Sequence, residues 1–247
     1  MTAKKRRIDV LLVERGLAPT RAKAQALLLA GQVFSGEQRL EKAGQLIALD
    51  APLRVQEGER FVSRGGHKLE GALSALALDV QGLVAADIGA STGGFSDCLL
   101  QRGAEKVYAV DVGEHQLAPR LLADARVVVM DRTNARHLEA SAFSEPLALA
   151  VVDASFIGIE KLLPALARIL PAGAQLVALI KPQFEAGKRD AARSKGVIRD
   201  PELRAQLIER ACVSVREHGF DVLAGCDSTL AGPKGNVEYF VHARRRA

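Results

Sequence analysis

The chain has 247 residues, 48% of them hydrophobic and 26% charged, which suits a globular protein of one large or two smaller domains. The apolar runs "LALAVV" and "QLVALI" stop at Asp153 and Lys181, far short of the roughly 18 residues a membrane helix needs, and Cys98, Cys212 and Cys226 are too few and too scattered for a disulfide framework or a zinc knuckle. The net charge of +5 is uneven: residues 1 to 60 hold 11 Lys or Arg against 7 Asp or Glu, so the basic surplus sits at the N-terminus, where phosphate contacts would give affinity for nucleic acid.

The start, "MTAKKRRIDVLLVERG", is basic, but Asp9 and Glu14 break its apolar stretch and no small-residue cleavage site follows, so it reads as mature protein. Ile8, Leu11, Leu12 and Arg15 recur at helical spacing, and Gly16 ends that helix. A second helix follows in "TRAKAQALLLAG", with Thr20 as its cap and Gly31 as its stop. "QVFSG", a polar stretch, "QLIALD" and "LRVQEGERFV" then read as short strands between turns. In "SRGGHKLEGALSAL", Gly65 and Gly66 suggest a flexible corner, after which Lys68 opens an amphipathic helix.

From residue 83 strands and helices alternate. "LVAADIG", "KVYAVDV", "RVVVMD", "LALAVVD", "QLVALIK", "FDVLAGC" and "VEYFVHA" are the strands; helices fall after Gly94, near 115 to 123, near 159 to 169 and over 201 to 217. This order predicts an α/β fold with a doubly wound sheet whose ligands bind over the C-terminal strand ends. Asp87, Asp111, Asp153 and Lys181 all lie at such ends, a gathering that describes a site.

"DIGASTGGFSDCLL" carries two motifs at once. Gly89, Ser91 and Gly93 spell the Gly-x-Ser-x-Gly of a hydrolase elbow, with Asp153 and His242 following in the order such a triad needs. Asp87, Gly89, Gly93 and Gly94 spell Asp-x-Gly-x-x-x-Gly-Gly, a turn with which methyltransferases hold S-adenosylmethionine. The second motif also explains Asp111, placed to accept both ribose hydroxyls, and gives Ser91 and Thr92 to the cofactor turn. Ser91 replaces the second glycine of the dinucleotide fingerprint, which disfavours a nicotinamide cofactor.

These motifs carry family resemblances. The helix-turn-helix and strands ending in "AGQVFSG" resemble the S4 RNA-binding domain, which implies that Arg21 and Lys23 face RNA phosphates, with Arg6, Arg7 and Arg64 as further basic candidates. Asp131 in "VVMDRT" resembles the acid that reads the adenine amino group in Rossmann-like class I methyltransferases. Lys68, Asp153, Lys181 and Glu238 occur in the order Lys-Asp-Lys-Glu, which resembles the tetrad of FtsJ-type ribose 2′-O-methyltransferases. With "SRGGHKLEGAL", "DIGASTGGFSDCLL" and "LIKPQFEAG", the whole chain resembles the TlyA family, often labelled haemolysins and associated with 2′-O-methylation of cytidine in rRNA.

The resemblance implies an S4-like unit over residues 1–62, a linker and first helix carrying Lys68 over 63–82, and an S-adenosylmethionine-dependent methyltransferase over 83–247. A ribose hydroxyl attacks only once its proton leaves, so a base must stand beside it; Lys181 is the candidate base or activator, Asp153 aligns it, and Lys68 and Glu238 orient. Lysine is normally protonated at neutral pH, so the role requires an environment that loosens the proton. The stretch "PQFEAGKRDAARSKGVIRD" places Lys188, Arg189, Arg193, Lys195 and Arg199 just beyond Lys181, where they suggest a grip on RNA backbone.

The expected partners are rRNA or ribosomal subunits in a reducing cytoplasm, with no metal and no membrane; oligomeric state is open. A base methyltransferase is the enzymatic rival, but Cys98 reads as core packing, and "DASF" stands where amino-group methylation would place an Asn/Asp-Pro-Pro-aromatic run. A membrane-lytic protein and a non-catalytic ribosome-binding factor are the rivals from other classes.

Overall fold

A computed structural model describes residues 4–56, 58–186, 196–232 and 234–247. The chain divides into two compact units, one ending at Arg60 and one spanning Phe61–Ala247.

In the first unit, β1 (Lys5–Arg7) leads into α1 (Ile8–Glu14) and α2 (Arg21–Leu29), followed by β2 (Val33–Ser35), β3 (Gln38–Leu40), β4 (Leu46–Ala48) and β5 (Leu53–Val55). Helical spacing turns Ile8 and Leu12 of α1 and Ala24 and Leu28 of α2 onto Val33 and Leu40, which closes a small core. Thr20 caps α2 by accepting from Lys23 N at 3.2 Å. β1 pairs antiparallel with β4, and β3-β2-β5 form a second small sheet. β1 lies within the charged start and β3 within the polar stretch, where no alternating pattern marks them; tertiary pairing makes them strands. The strand expected in "LRVQEGERFV" ends at Val55, and Phe61 belongs to the core of the second unit.

The second unit comprises α3 (Arg64–Ala75), β6 (Val84–Ile88), α4 (Gly94–Gln101), β7 (Lys106–Val110), α5 (Pro119–Leu122), β8 (Val127–Met130), β9 (Leu149–Val152), α6 (Leu163–Ile169), β10 (Gln175–Ile180), α7 (Pro182–Glu185), α8 (Pro201–Glu217), β11 (Phe220–Asp227) and β12 (Tyr239–Arg245). Its seven-stranded sheet has the order β11-β12-β10-β9-β6-β7-β8, parallel from β10 to β8 and antiparallel at β11 and β12. The central strands are nearly all apolar because helices cover both faces, and a separate core packs on each: one around Tyr108, Leu163 and Phe220, the other around Leu69, Phe95 and Phe240.

Two local expectations change. The helix near 115 to 123 shortens to Pro119–Leu122, because Asp111 and Thr92 engage the preceding residues: Gly113 N donates to Asp111 and Ala118 N to the Thr92 carbonyl. Gly65 and Gly66 form no flexible corner; Ser63 caps a helix that already begins at Arg64 and contains both. A Cβ on Gly66 would strike the Phe61 ring, and one on Gly94 would strike Ser63 Oγ and lie 2.9 Å from Gly66 N. Glycine here lets the N-termini of α3 and α4 meet backbone to backbone. No helix among the described residues is long and apolar enough to cross a membrane.

Candidate active site

β10, β9, β6 and β7 are neighbouring parallel strands, so the residues just after them, Lys181, Asp153, Gly89 and Asp111, share one edge of the sheet. The turn after β6 is possible only with special backbone: Gly89 has φ +86°, and a Cβ there would lie 2.9 Å from the Asp153 carbonyl oxygen. Asp111 ties this turn to the next, accepting from Ser91 N at 2.8 Å and Gly113 N at 2.7 Å. Each of its oxygens retains a second lone pair for another donor.

Asp87 stands one residue inside β6 and is fully buried. Its Oδ2 accepts from Ser96 N at 2.8 Å and Ser96 Oγ at 2.7 Å, while Oδ1 has no hydrogen-bond partner. Burial pushes this carboxyl up to about 7 against the Ser96 hydrogen bonds, with smaller help from the charges of Asp153 and Asp111. A buried acceptor without a donor beside a glycine turn suits a ligand that brings an ammonium or hydroxyl group.

Two buried ion pairs complete the edge. Lys181 Nζ lies 2.6 Å from Asp153 Oδ1 and donates to Ser155 Oγ at 2.9 Å; Lys68 Nζ, from the second turn of α3, donates to Glu238 Oε2 at 2.6 Å. Glu238 precedes β12, which starts two residues later than the sequence suggested. Both lysines and Glu238 are buried, and Asp153 is the most open of the four. A cavity of about 190 Å³ brings Lys68, Asp87, Asp153 and Ser155 to the glycine turn, and a second of about 390 Å³ extends from Gly89, Ser91 and Asp153 past Asp111 between the apolar walls of Ile88, Val110, Ile157 and Leu162.

The sequence-based candidates divide accordingly. Lys68, Asp87, Gly89, Ser91, Thr92, Gly94 and Asp153 line the smaller cavity and Asp111 the larger. Gly93, at φ +90°, stands where a Cβ would meet Leu121 and Leu117, so its place in the turn is one of packing. Asp131 does not line either cavity; its Oδ2 accepts from His115 N at 3.0 Å, and Thr133 and Asn134 line the wall instead. The hydrolase constellation does not assemble: His242 pairs with Val177 in the sheet and its Nε2 meets Gln175 Oε1 at 2.7 Å, about 13 Å back along β10 from the edge that carries Ser91.

Among the basic candidates, Arg6 pairs with Glu14, Arg7 and Arg21 with Asp9, and Arg64 donates to the Ala231 carbonyl at 2.9 Å; Lys23 and Arg199 are exposed. Lys188, Arg189, Arg193 and Lys195 lie outside the described residues.

Sequence reasoning missed three residues here. Ser155 meets Lys181. Phe156, 86% exposed at φ +70°, lines the larger cavity and packs on Phe184; an aromatic three residues after a strand-end acid was the available signal. Asn236, buried two residues before Glu238, accepts from Ile198 N and donates to the Gly196 carbonyl, both at 2.9 Å, so it anchors the chain that returns from the basic stretch.

A doubly wound sheet with a glycine turn after its central strand, a strand-end acid on the next and paired lysines across the edge defines the methyltransferase class. The FtsJ-like methyltransferase family matches residues 61–245, and the S4 domain matches residues 6–50. YqxC of Bacillus subtilis, provisionally named an rRNA methyltransferase, is 47% identical over 98% of this chain and 86% of its own length. The 16S/23S rRNA (cytidine-2′-O)-methyltransferase TlyA of Mycobacterium tuberculosis is 45% identical over 98% of this chain and 91% of its own. A solved structure from Streptococcus thermophilus that carries a hemolysin name superposes with a TM-score of 0.74 at 40% identity, covering 99% of this chain and 90% of that one. This chain belongs to the TlyA family, FtsJ-like methyltransferases with an S4 domain in front.

Proposed function

We propose that the protein transfers a methyl group from S-adenosylmethionine to the ribose 2′-oxygen of a cytidine in rRNA, acting in the cytoplasm on naked rRNA or ribosomal subunits. The observation that carries this reading is the pairing of Lys181 with Asp153 and of Lys68 with Glu238 beside the glycine turn. A 2′-hydroxyl needs a proton acceptor, and neither a nucleophilic cysteine nor a metal-binding cluster lies among the described residues of this edge; Cys98 is buried in the core around Leu69.

S-adenosylmethionine, when bound, supplies a methyl group activated by its sulfonium charge. Asp111 would accept from its ribose hydroxyls, Ile88, Val110, Ile157 and Leu162 would flank its base, and the free Oδ1 of Asp87 would meet its amino-acid end. Lys181 is the group placed to take the proton of the acceptor hydroxyl, Asp153 stabilises the ammonium that results, and Ser155 fixes the side chain. Lys68, on the wall of the smaller cavity, would face the acceptor while Glu238 holds the lysine in place, and Phe156 offers an exposed ring face to the acceptor's base. Residues 1–62 supply affinity for folded RNA, and the helix carrying Lys68 follows directly.

The test is transfer of a radiolabelled methyl group from S-adenosylmethionine to purified small subunits, large subunits and naked rRNA, followed by nucleoside digestion. Label in 2′-O-methylcytidine is the expected result. Label on a base would overturn the roles given to the two pairs, and no label despite cofactor binding would point to a non-catalytic role on the ribosome.

A further inference from the structure

Among the described residues of the first unit, one charged side chain is buried completely. Asp9, in the first turn of α1, has no exposed surface, yet two of its partners stay about half in water: Arg7 and Arg21 keep 47% and 57% of their side chains exposed. Arg7 donates Nε to Oδ1 and Nη2 to Oδ2, each at 3.0 Å; Arg21 Nη2 donates to the same Oδ2 at 3.0 Å, and Gln25 Nε2 joins at 3.1 Å. The hydrogen bonds from Arg7, followed by those from Gln25 and Arg21, hold this carboxyl well below the usual range despite its burial. It is therefore an anion at every pH of interest.

One anion between two guanidiniums leaves a net positive charge facing solvent. Because both Nη2 atoms are 3.0 Å from one oxygen, they lie no more than about 6 Å apart, a span one phosphate can bridge. Other arginines of this unit are spoken for differently. Arg6 pairs one-to-one with Glu14, Arg39 pairs with Glu41, and Arg15 donates to the carbonyls of Leu49 and Ala51. An arginine free in solvent must be immobilised when it binds, and a buried partner that fixes it beforehand removes that cost.

We propose that Asp9 builds a phosphate fork: it holds Arg7 and Arg21 so that both donate to a single backbone phosphate of the RNA. Asp9 is a positioning residue, acting through the arginines. The inference rests on the reading of this unit as the rRNA-docking part and adds to it the element that does the docking.

The test measures binding of the full-length protein to purified 16S and 23S rRNA across a potassium chloride series. Asp9→Asn removes a negative charge, so if Asp9 merely muted the arginines the variant would bind RNA more tightly and with a steeper salt dependence. The fork predicts the opposite sign: affinity lower by about tenfold and a slope shallower by about one. Arg7→Gln with Arg21→Gln would leave Asp9 a buried anion without a counter-charge, so both are made together with Asp9→Asn; with the first unit of this triple variant shown to be folded, its slope should be flatter by about one, the signature of one shared phosphate, whereas two independent contacts would flatten it by about two. Tighter or unchanged binding by Asp9→Asn with a folded first unit, or a loss of two in the slope, overturns the fork. Should Asp9→Asn unfold that unit, Arg21→Gln decides, because it leaves Asp9 its two hydrogen bonds from Arg7: weaker binding with an unchanged slope supports the shared phosphate, and a slope lower by a full unit overturns it. Wild-type protein that fails to bind either rRNA contradicts the docking reading itself, a result distinct from normal wild-type binding with an indifferent Asp9→Asn.

Discussion

Asp9 in the first unit gathers two arginines that stay about half exposed, whereas Asp153 and Glu238 in the second each hold one lysine that is almost wholly buried. In the first cluster positive charge is in excess and faces water, which suits long-range attraction to phosphate. In the second, charge is balanced pair by pair and enclosed, which suits proton movement at a defined atom. The contrast teaches that the side chains belong to different tasks even though both clusters are carboxylates beside cations: guanidinium stays charged and forked, while an amine can give up its proton.

The largest expected effect breaks the enclosed side of this contrast. Glu238→Gln leaves the Lys68 ammonium buried without a counter-charge and should cost the second unit about 3–5 kcal/mol in urea unfolding. Lys68→Met combined with Glu238→Leu should regain most of that stability yet stay inactive, and recovery of methyl transfer in the double variant would show that the pair is only structural. Next, Gly94→Ala forces a Cβ onto Ser63 Oγ and toward Gly66 N, and should lower the stability of the second unit by about 1–3 kcal/mol in thermal melts while sparing the first.

Asp87 should impose a pH dependence on the ligand-free protein. Its carboxyl is raised from 3.8 to about 7, so the folded state holds the proton more tightly; the stability this contributes is full below about 4 and lost as pH rises to about 7. Asp87→Asn should flatten the melting temperature over that interval, and an identical profile would contradict the burial of a free Oδ1. The smallest effect sharpens the other side: Thr20→Ala removes the α2 cap and should cost the first unit about 1 kcal/mol, read as faster hydrogen exchange in the first turn of that helix.

How legible these clusters were in the sequence follows from their local chemistry. β7, β9 and β10 announce themselves as short apolar runs that stop at a polar residue, so their ends could be read directly, and Asp111, Asp153 and Lys181 with them, whereas β6 runs one residue past Asp87. α8 was equally plain, because Asp200 and Pro201 mark its start. α5 was over-read because apolar spacing cannot reveal that Asp111 and Thr92 consume the backbone donors before it. Gly65 and Gly66 were misread because a glycine pair looks the same whether it frees a chain or admits a neighbouring helix, and Gly94, that neighbour, is 28 residues away. Asp9 was noticed only as an interruption of an apolar stretch; its partners lie in two other elements, β1 and α2, and nothing local indicates that its carboxylate is buried.

The measurement that tests the central claim most directly is made on Lys181→Ala: methyl transfer to rRNA at saturating substrate, with S-adenosylmethionine affinity determined by calorimetry on the same sample. The account predicts turnover lower by at least about 10²-fold with cofactor affinity within about twofold of wild type. Turnover close to wild type would contradict the assignment of the proton-accepting role to the buried lysine pair.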